Sequence, residues 1–255
     1  MLLTIDIGNT NITLGLYKGA ELGPRWRVRT IHDKMPDEYG ILLDQMFRHR
    51  GQRPDRVTGI AIASVVPPLT QTFVQVCRDY LGREPLVVDA GVRTGVRIRY
   101  DNPREVGADR VVDAAAVCAL YTIPACVVDF GTATTFDAVS AEGDYLGGAI
   151  APGIGIAAQA LFERTAKLPR VELTRPPSVI GRNTVHSIQS GLLFGYVGLV
   201  EGMVARFKAE LGPQTSIIAT GGLAEIIARE TSVIDIVDPW LTLHGLRVIY
   251  EINDH

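Results

Sequence analysis

Leu2-Leu3-Thr4-Ile5-Asp6-Ile7-Gly8-Asn9-Thr10-Asn11-Ile12-Thr13-Leu14 opens the chain, and a stretch near the middle repeats its plan: Cys126-Val127-Val128-Asp129-Phe130-Gly131-Thr132-Ala133-Thr134-Thr135-Phe136. In each, an apolar strand runs into Asp-x-Gly and a small polar residue, then into a second stretch rich in threonine and apolar residues. The glycine permits a tight turn with positive φ, and Ile12, Leu14 and Leu16 then alternate as a strand does. Two strand–turn–strand units with an aspartate at the same place predict a duplicated α/β domain.

Working outward, each half continues alike. Ile60-Ala61-Ile62-Ala63-Ser64-Val65-Val66 reads as a buried strand stopped by Pro67-Pro68, with a helix following through Leu69, Phe73, Val76, Cys77 and Leu81. Ser216-Ile217-Ile218-Ala219-Thr220 is a strand stopped by Gly221-Gly222, followed by a helix from Leu223 to about Arg229. Asp109 to Leu120 reads as a helix with Val112, Ala116 and Ala119 on one face, and Leu192 to Leu211 as a long one. No low-complexity linker separates the halves, so the boundary is placed near Ala114, giving domains 1–114 and 115–255. The cleft between two such domains is the expected ligand site.

The 255 residues suffice for two domains, and 47% hydrophobic content excludes a disordered chain. A net charge of −3 gives no reason to expect nucleic-acid binding. The start has no signal-peptide pattern, and the apolar run from Val111 to Val128 is interrupted by Asp113 and Pro124. A soluble cytoplasmic protein, with no membrane partner, is expected. Cys77, Cys118 and Cys126 form no CxxC and read as reduced core thiols; the five histidines are scattered, so no zinc site is expected.

The chemistry concentrates on three acids. Gly8 removes a side chain where backbone N–H groups would approach a phosphate, and Asn9, Thr10, Asn11 and Thr13 add donors around that turn. A carboxylate beside phosphate needs a cation between them, so Asp6 reads as a Mg²⁺ ligand, directly or through water. Taken alone, one such turn reads first as an ordinary hairpin. Two of them suit a nucleoside triphosphate, with the hydroxyls after Asp129 placed for its β- and γ-phosphates. No GxxxxGK[ST] or Rossmann fingerprint exists, so a P-loop fold is excluded. Bare backbone at Thr220-Gly221-Gly222 suits an adenine ring, or is simply a strand-to-helix turn.

In Tyr100-Asp101-Asn102-Pro103-Arg104-Glu105-Val106-Gly107-Ala108-Asp109-Arg110, Gly107 allows close ligand approach just before a helix. Asp109 on its first turn is the candidate general base for phosphorylating an alcohol, and Arg110 offers a guanidinium fork to an anion. The plain alternative is a capping aspartate and a surface arginine. The Ile154–Thr165 helix is apolar on more than one face, hence core or subunit contact. Asn183-Thr184 starts like a helix cap, and the Thr184 hydroxyl is a further candidate substrate contact.

Taken in order, these segments resemble the type III pantothenate kinases of the acetate-kinase/sugar-kinase/heat-shock-protein/actin superfamily. The two Asp-x-Gly stretches resemble its phosphate motifs, Thr220-Gly221-Gly222 its adenosine motif, and Tyr100 to Arg110 its pantothenate signature. Gly147 to Gly153 resembles its dimer-interface motif, and Pro239 to Leu246 its C-terminal segment. The resemblance implies two ribonuclease-H-like (actin-like) domains and ATP-dependent phosphorylation of pantothenate, the first step toward coenzyme A. It implies Asp109 as proton acceptor, and Asp6, Ile7, Gly8, Asn9, Thr10, Asn11, Ile12, Thr13 and Thr132 around ATP. Tyr100, Gly107, Ala108, Asp109, Arg110 and Thr184 would contact pantothenate. Asp129 would hold a monovalent cation, K⁺ or NH₄⁺, beside the Mg²⁺ that accompanies ATP, and the protein would be a homodimer. Two other readings stand beside it: another phosphoryl-transfer enzyme of this fold, such as a sugar kinase or polyphosphatase, or a non-catalytic transcriptional accessory homologue.

Overall fold

Both Asp-x-Gly stretches fold as hairpins. In the computed structural model, which describes residues 1–253, β1 (Leu2–Ile7) and β2 (Asn11–Lys18) run antiparallel with Asp6 opposite Thr13. Strand β3 (Glu21–Arg29) completes a meander, and α1 (Pro36–His49) crosses to β4 (Gly59–Ser64), which pairs parallel to β1 on its other side. Helix α2 (Pro67–Leu81) leads to the short β5 (Leu86–Val87), giving the order β3-β2-β1-β4-β5. A two-residue strand, β6 (Arg97–Ile98), and α3 (Ala108–Leu120) follow.

The second unit repeats the plan. Strands β7 (Ala125–Phe130), β8 (Ala133–Val139) and β9 (Asp144–Pro152) form the meander, with Asp129 opposite Thr135. Helices α4 (Ile154–Glu163) and α5 (Thr184–Leu211) cross to β10 (Ser216–Thr220), which is parallel to β7. Helix α6 (Ala224–Ala228) and β11 (Ile236–Val237) complete the run β11-β10-β7-β8-β9. The chain then returns to the first unit as α7 (Leu241–Asn253).

Alternation along the strands builds each core. Leu3, Ile5, Ile7, Ile12, Leu14 and Leu16 meet Leu43 and Phe47 of α1 and Leu69 and Phe73 of α2. Each fully buried side chain of this size contributes about 1.5–3 kcal/mol. Cys126, Val128, Phe130 and Phe136 likewise meet Leu192, Tyr196, Val200 and Val204 of α5. By length and composition alone α5 passes as a membrane span. It nevertheless packs one side into that core, which a soluble core helix also does. Among the described residues Cys77 and Cys126 are buried, whereas Cys118, also expected in the core, is only partly so.

The boundary expected near Ala114 falls inside α3. The units divide after Tyr121, and α7, assigned by sequence to the second domain, belongs to the first. The reason is packing: Val112 and Ala115 of α3 and Leu246 and Ile249 of α7 share one core over Ala61 and Ala63 of β4. Small residues there let the helices approach closely, since a methyl on Gly245 would strike the Val112 carbonyl. Helix α3 is consequently buried from Val111 through Val117, whereas Ala119, expected on its inner face, is exposed.

Candidate active site

In the first unit the phosphate-type turn is stiff. Gly8 N–H donates to the Asn11 carbonyl at 3.0 Å, and the turn is tied from outside by Thr30, just past β3. The Thr30 hydroxyl donates to the Gly8 carbonyl at 2.7 Å, and its N–H to the Thr10 carbonyl at 2.9 Å. Tyr39 braces the next residue, accepting from Ile31 N–H at 3.1 Å and donating to the Ile31 carbonyl at 3.0 Å. Burial pushes this phenol up, which keeps it a protonated donor.

Neither Gly8 nor Gly131 adopts the positive φ that the sequence reading gave their turns. Their value is close approach: a methyl on Gly8 would lie 3.1 Å from the Asn11 carbonyl oxygen, and one on Gly131 would lie 3.1 Å from Asp129 Oδ2. Asn9, Thr10 and Asn11 are exposed and Asp6 is half-buried. Ile7 and Ile12 are wholly buried, so only their backbone can serve a ligand. Thr13 is nearly buried beside Asp6.

Asp109 reaches the same edge of the first sheet. Gly107 caps α3, and Arg110 N–H donates to Asp109 Oδ1 at 2.8 Å. That oxygen folds back over Gly107, where a methyl would sit 2.6 Å from it and 3.6 Å from Val65 Cγ1. Val65 N–H donates in turn to the Ile7 carbonyl at 3.1 Å, just beyond Asp6. The first unit therefore brings Asp6 and Asp109 to the carboxyl ends of neighbouring parallel strands, where ligands bind in open α/β sheets. Ala108 and Arg110 flank Asp109 on the first turn of α3, and Tyr100 is exposed before it.

In the second unit Asp129 occupies the position of Asp6. Thr220 lies beside it in register, and Gly221, at φ +89°, packs so closely that a methyl would strike Asp129 Oδ1. Gly153 N–H donates to the Thr132 carbonyl at 3.2 Å, fixing this turn as Thr30 fixes the first. Thr132 itself is exposed, and so is Thr184, which opens α5 behind the Asn183 cap. Asn183 Oδ1 accepts from His186 N–H at 2.8 Å, confirming the capping pattern.

A family model for type III pantothenate kinase matches residues 2–206. A type III pantothenate kinase from Moorella thermoacetica is 56% identical over 253 residues, covering 99% of this chain and 100% of its own. The chain belongs to the type III pantothenate kinase family. Among solved structures, it is similar to a conserved Campylobacter jejuni protein assigned to the Baf family of transcriptional activators (TM-score 0.59, 20% identity, 98% of each chain). It is also similar to an inorganic polyphosphate/ATP-glucomannokinase from Arthrobacter sp. strain KM (TM-score 0.51, 16% identity, 100% of this chain and 99% of that one). At those identities the likeness concerns the fold alone, and that fold is the duplicated actin-like one.

Family membership sharpens two observations. The cations the family resemblance implies meet a sparse donor set: among the described residues no three His, Cys, Asp or Glu side chains cluster as a metal cage. One carboxylate with backbone and hydroxyl oxygens fits a singly charged ion at Asp129, or a Mg²⁺ ion held largely by phosphate and water at Asp6. The second concerns what sequence reasoning missed. Thr30 carried no motif, and Gly153 was read only as part of an interface segment. Both act on the turns through space, and the one available signal was their matching position after the third strand of each meander.

Proposed function

We propose that this chain transfers the γ-phosphoryl group of ATP to the hydroxyl of pantothenate, giving 4′-phosphopantothenate and ADP in the first step of coenzyme A biosynthesis. The observation that carries the reading is 56% identity to a named family member over essentially the whole chain. The paired Asp-x-Gly turns support it, because phosphoryl transfer is mainly positioning and charge stabilisation.

In this reading the backbone of Ile7, Gly8 and Ile12, with Asp6, Asn9, Thr10, Asn11, Thr13 and Thr132, holds ATP and its Mg²⁺. Asp109 takes the hydroxyl proton as the substrate oxygen bonds to the γ-phosphorus and the bond to ADP breaks. Its Oδ1 accepts from Arg110 N–H at 2.8 Å, which orients the carboxylate on the first turn of α3. Arg110 faces the pantothenate carboxylate, and Tyr100, Gly107, Ala108 and Thr184 complete the pocket. Asp129 holds K⁺ or NH₄⁺, whose positive charge offsets the phosphates. The protein works in the cytoplasm as a homodimer, a reading supported by apolar side chains left exposed on α4 (Ile156, Leu161 and Phe162) and β9 (Leu146 and Ile150).

Steady-state ADP release with pantothenate, ATP and Mg²⁺, with and without K⁺, tests this. Pantothenate-dependent, K⁺-stimulated turnover is expected. Turnover on a sugar or polyphosphate with none on pantothenate would overturn it.

A further inference from the structure

Strand β8 carries an acid that the reaction described above does not use. Asp137 is 2% exposed, deep in the second unit. Tyr145, wholly buried, donates its hydroxyl to Asp137 Oδ1 at 2.8 Å, and Thr135 donates its own to Oδ2 at 2.9 Å. Asp137 thus accepts from both hydroxyls, and the Thr135 proton points at it. The Thr135 oxygen therefore presents only lone pairs in its other directions. Thr135 is also the register partner of Asp129, and paired residues of adjacent strands project from the same face.

The duplication supplies a control. In the first unit Thr13 holds the place of Thr135 opposite Asp6, and the residue two further along is Gly15. The same hairpin thus forms without a buried acid. Burying a carboxylate costs several kcal/mol unless its bonds are well made, so Asp137 is not explained by the needs of the hairpin.

We propose that Thr135 is a second ligand of the monovalent cation beside Asp129, and that Asp137 is the positioning residue that turns the Thr135 oxygen toward it. This rests on the reading of Asp129 as the cation residue. It also reassigns the Thr135 hydroxyl, which the sequence reading placed among phosphate donors: with its proton committed to Asp137 it accepts rather than donates.

The test reads cation binding without turnover. The melting temperature is followed against KCl, with choline chloride holding ionic strength constant; a ligand of the folded state stabilises it by RT ln(1 + [K⁺]/Kd), so a fit of the Tm rise yields the half-saturating concentration, Kd. Thr135→Val, which keeps shape but removes the oxygen, is expected to raise the half-saturating KCl concentration about tenfold, the effect of one lost charge-assisted contact. Thr135→Ser restores it. Asp137→Asn, which leaves two hydroxyl donors one acceptor oxygen, also raises it, and the double variant goes no further than Thr135→Val. A lowered Tm at every KCl concentration with unchanged half-saturation in Thr135→Val would make the cluster merely structural and overturn the inference. A Tm rise absent from the wild type, or retained in Asp129→Asn, instead removes the cation from Asp129, and the inference falls with that reading.

Discussion

Replacing Gly221 by alanine tests the second-unit site most directly. Gly221 has φ +89°, and an added methyl would lie 2.7 Å from both N and C of Phe130 and nearer still to Asp129 Oδ1. Ordinary contact begins at 3.4 Å, so the Asp129–Phe130 segment must retreat by at least about 0.7 Å. Misplacement on that scale costs about 10²-fold in catalysis when it reaches reacting groups. Gly19→Ala is the matched control: its φ is +61° but nothing lies within 4 Å of the added methyl. Strain of about 1–2 kcal/mol is common to both, and lowers Tm by about 2–4 °C per kcal/mol in a chain of roughly this size. Steady-state ADP release and thermal melting on both variants separate the effects. Gly19→Ala should lose Tm and keep kcat/KM, whereas Gly221→Ala should lose both and need more K⁺. Equal kcat/KM in the two variants would refute the placement of the Asp129 turn in the working site.

Asp109→Asn should lower kcat by about 10²–10⁴-fold while leaving Tm unchanged, and a kcat near the wild-type value would remove Asp109 from proton transfer. Gly245→Ala should destabilise the protein by about 1–3 kcal/mol, read as a lower Tm, because the methyl would drive α7 off the Val112 carbonyl. A thiol reagent should label Cys118 in the native state, and Cys77 and Cys126 only on unfolding, as counted by mass spectrometry. Burial pushes the Cys77 thiol up to about 12 from 9.0 and raises Cys126 as well. The unfolded chain therefore ionises these thiols first, so their contribution to stability is intact below pH 9 and declines as pH rises toward 12.

What the sequence disclosed was local. The two hairpins were legible because strand alternation, the Asp-x-Gly turn and threonine all fall within about a dozen residues, and the repetition gave each copy weight the other lacked. The helix from Pro67 and the Asn183 cap were legible for the same reason. What remained hidden depends on contacts between residues distant in the chain. Thr30 reaches Gly8 across 22 positions, and nothing near Thr30 marks it as a latch. The placement of α7 was missed because its partners are small: Ala61, Ala63 and Ala115 carry little periodic signal, yet they let Leu246 and Ile249 pack closely. Asp137 was hidden inside a threonine-rich strand whose polarity already had an explanation.

The order in which the chain is synthesised gives the return of α7 a further meaning. Residues 122–240 leave the ribosome before the helix that completes the first unit, so the later-made unit can finish folding ahead of the earlier one. Until that last helix emerges, Ala61, Ala63 and Val112 lack the Leu246 and Ile249 side chains that cover them. A nascent chain stalled near residue 240 would thus carry Asp109 on a helix still missing its cover.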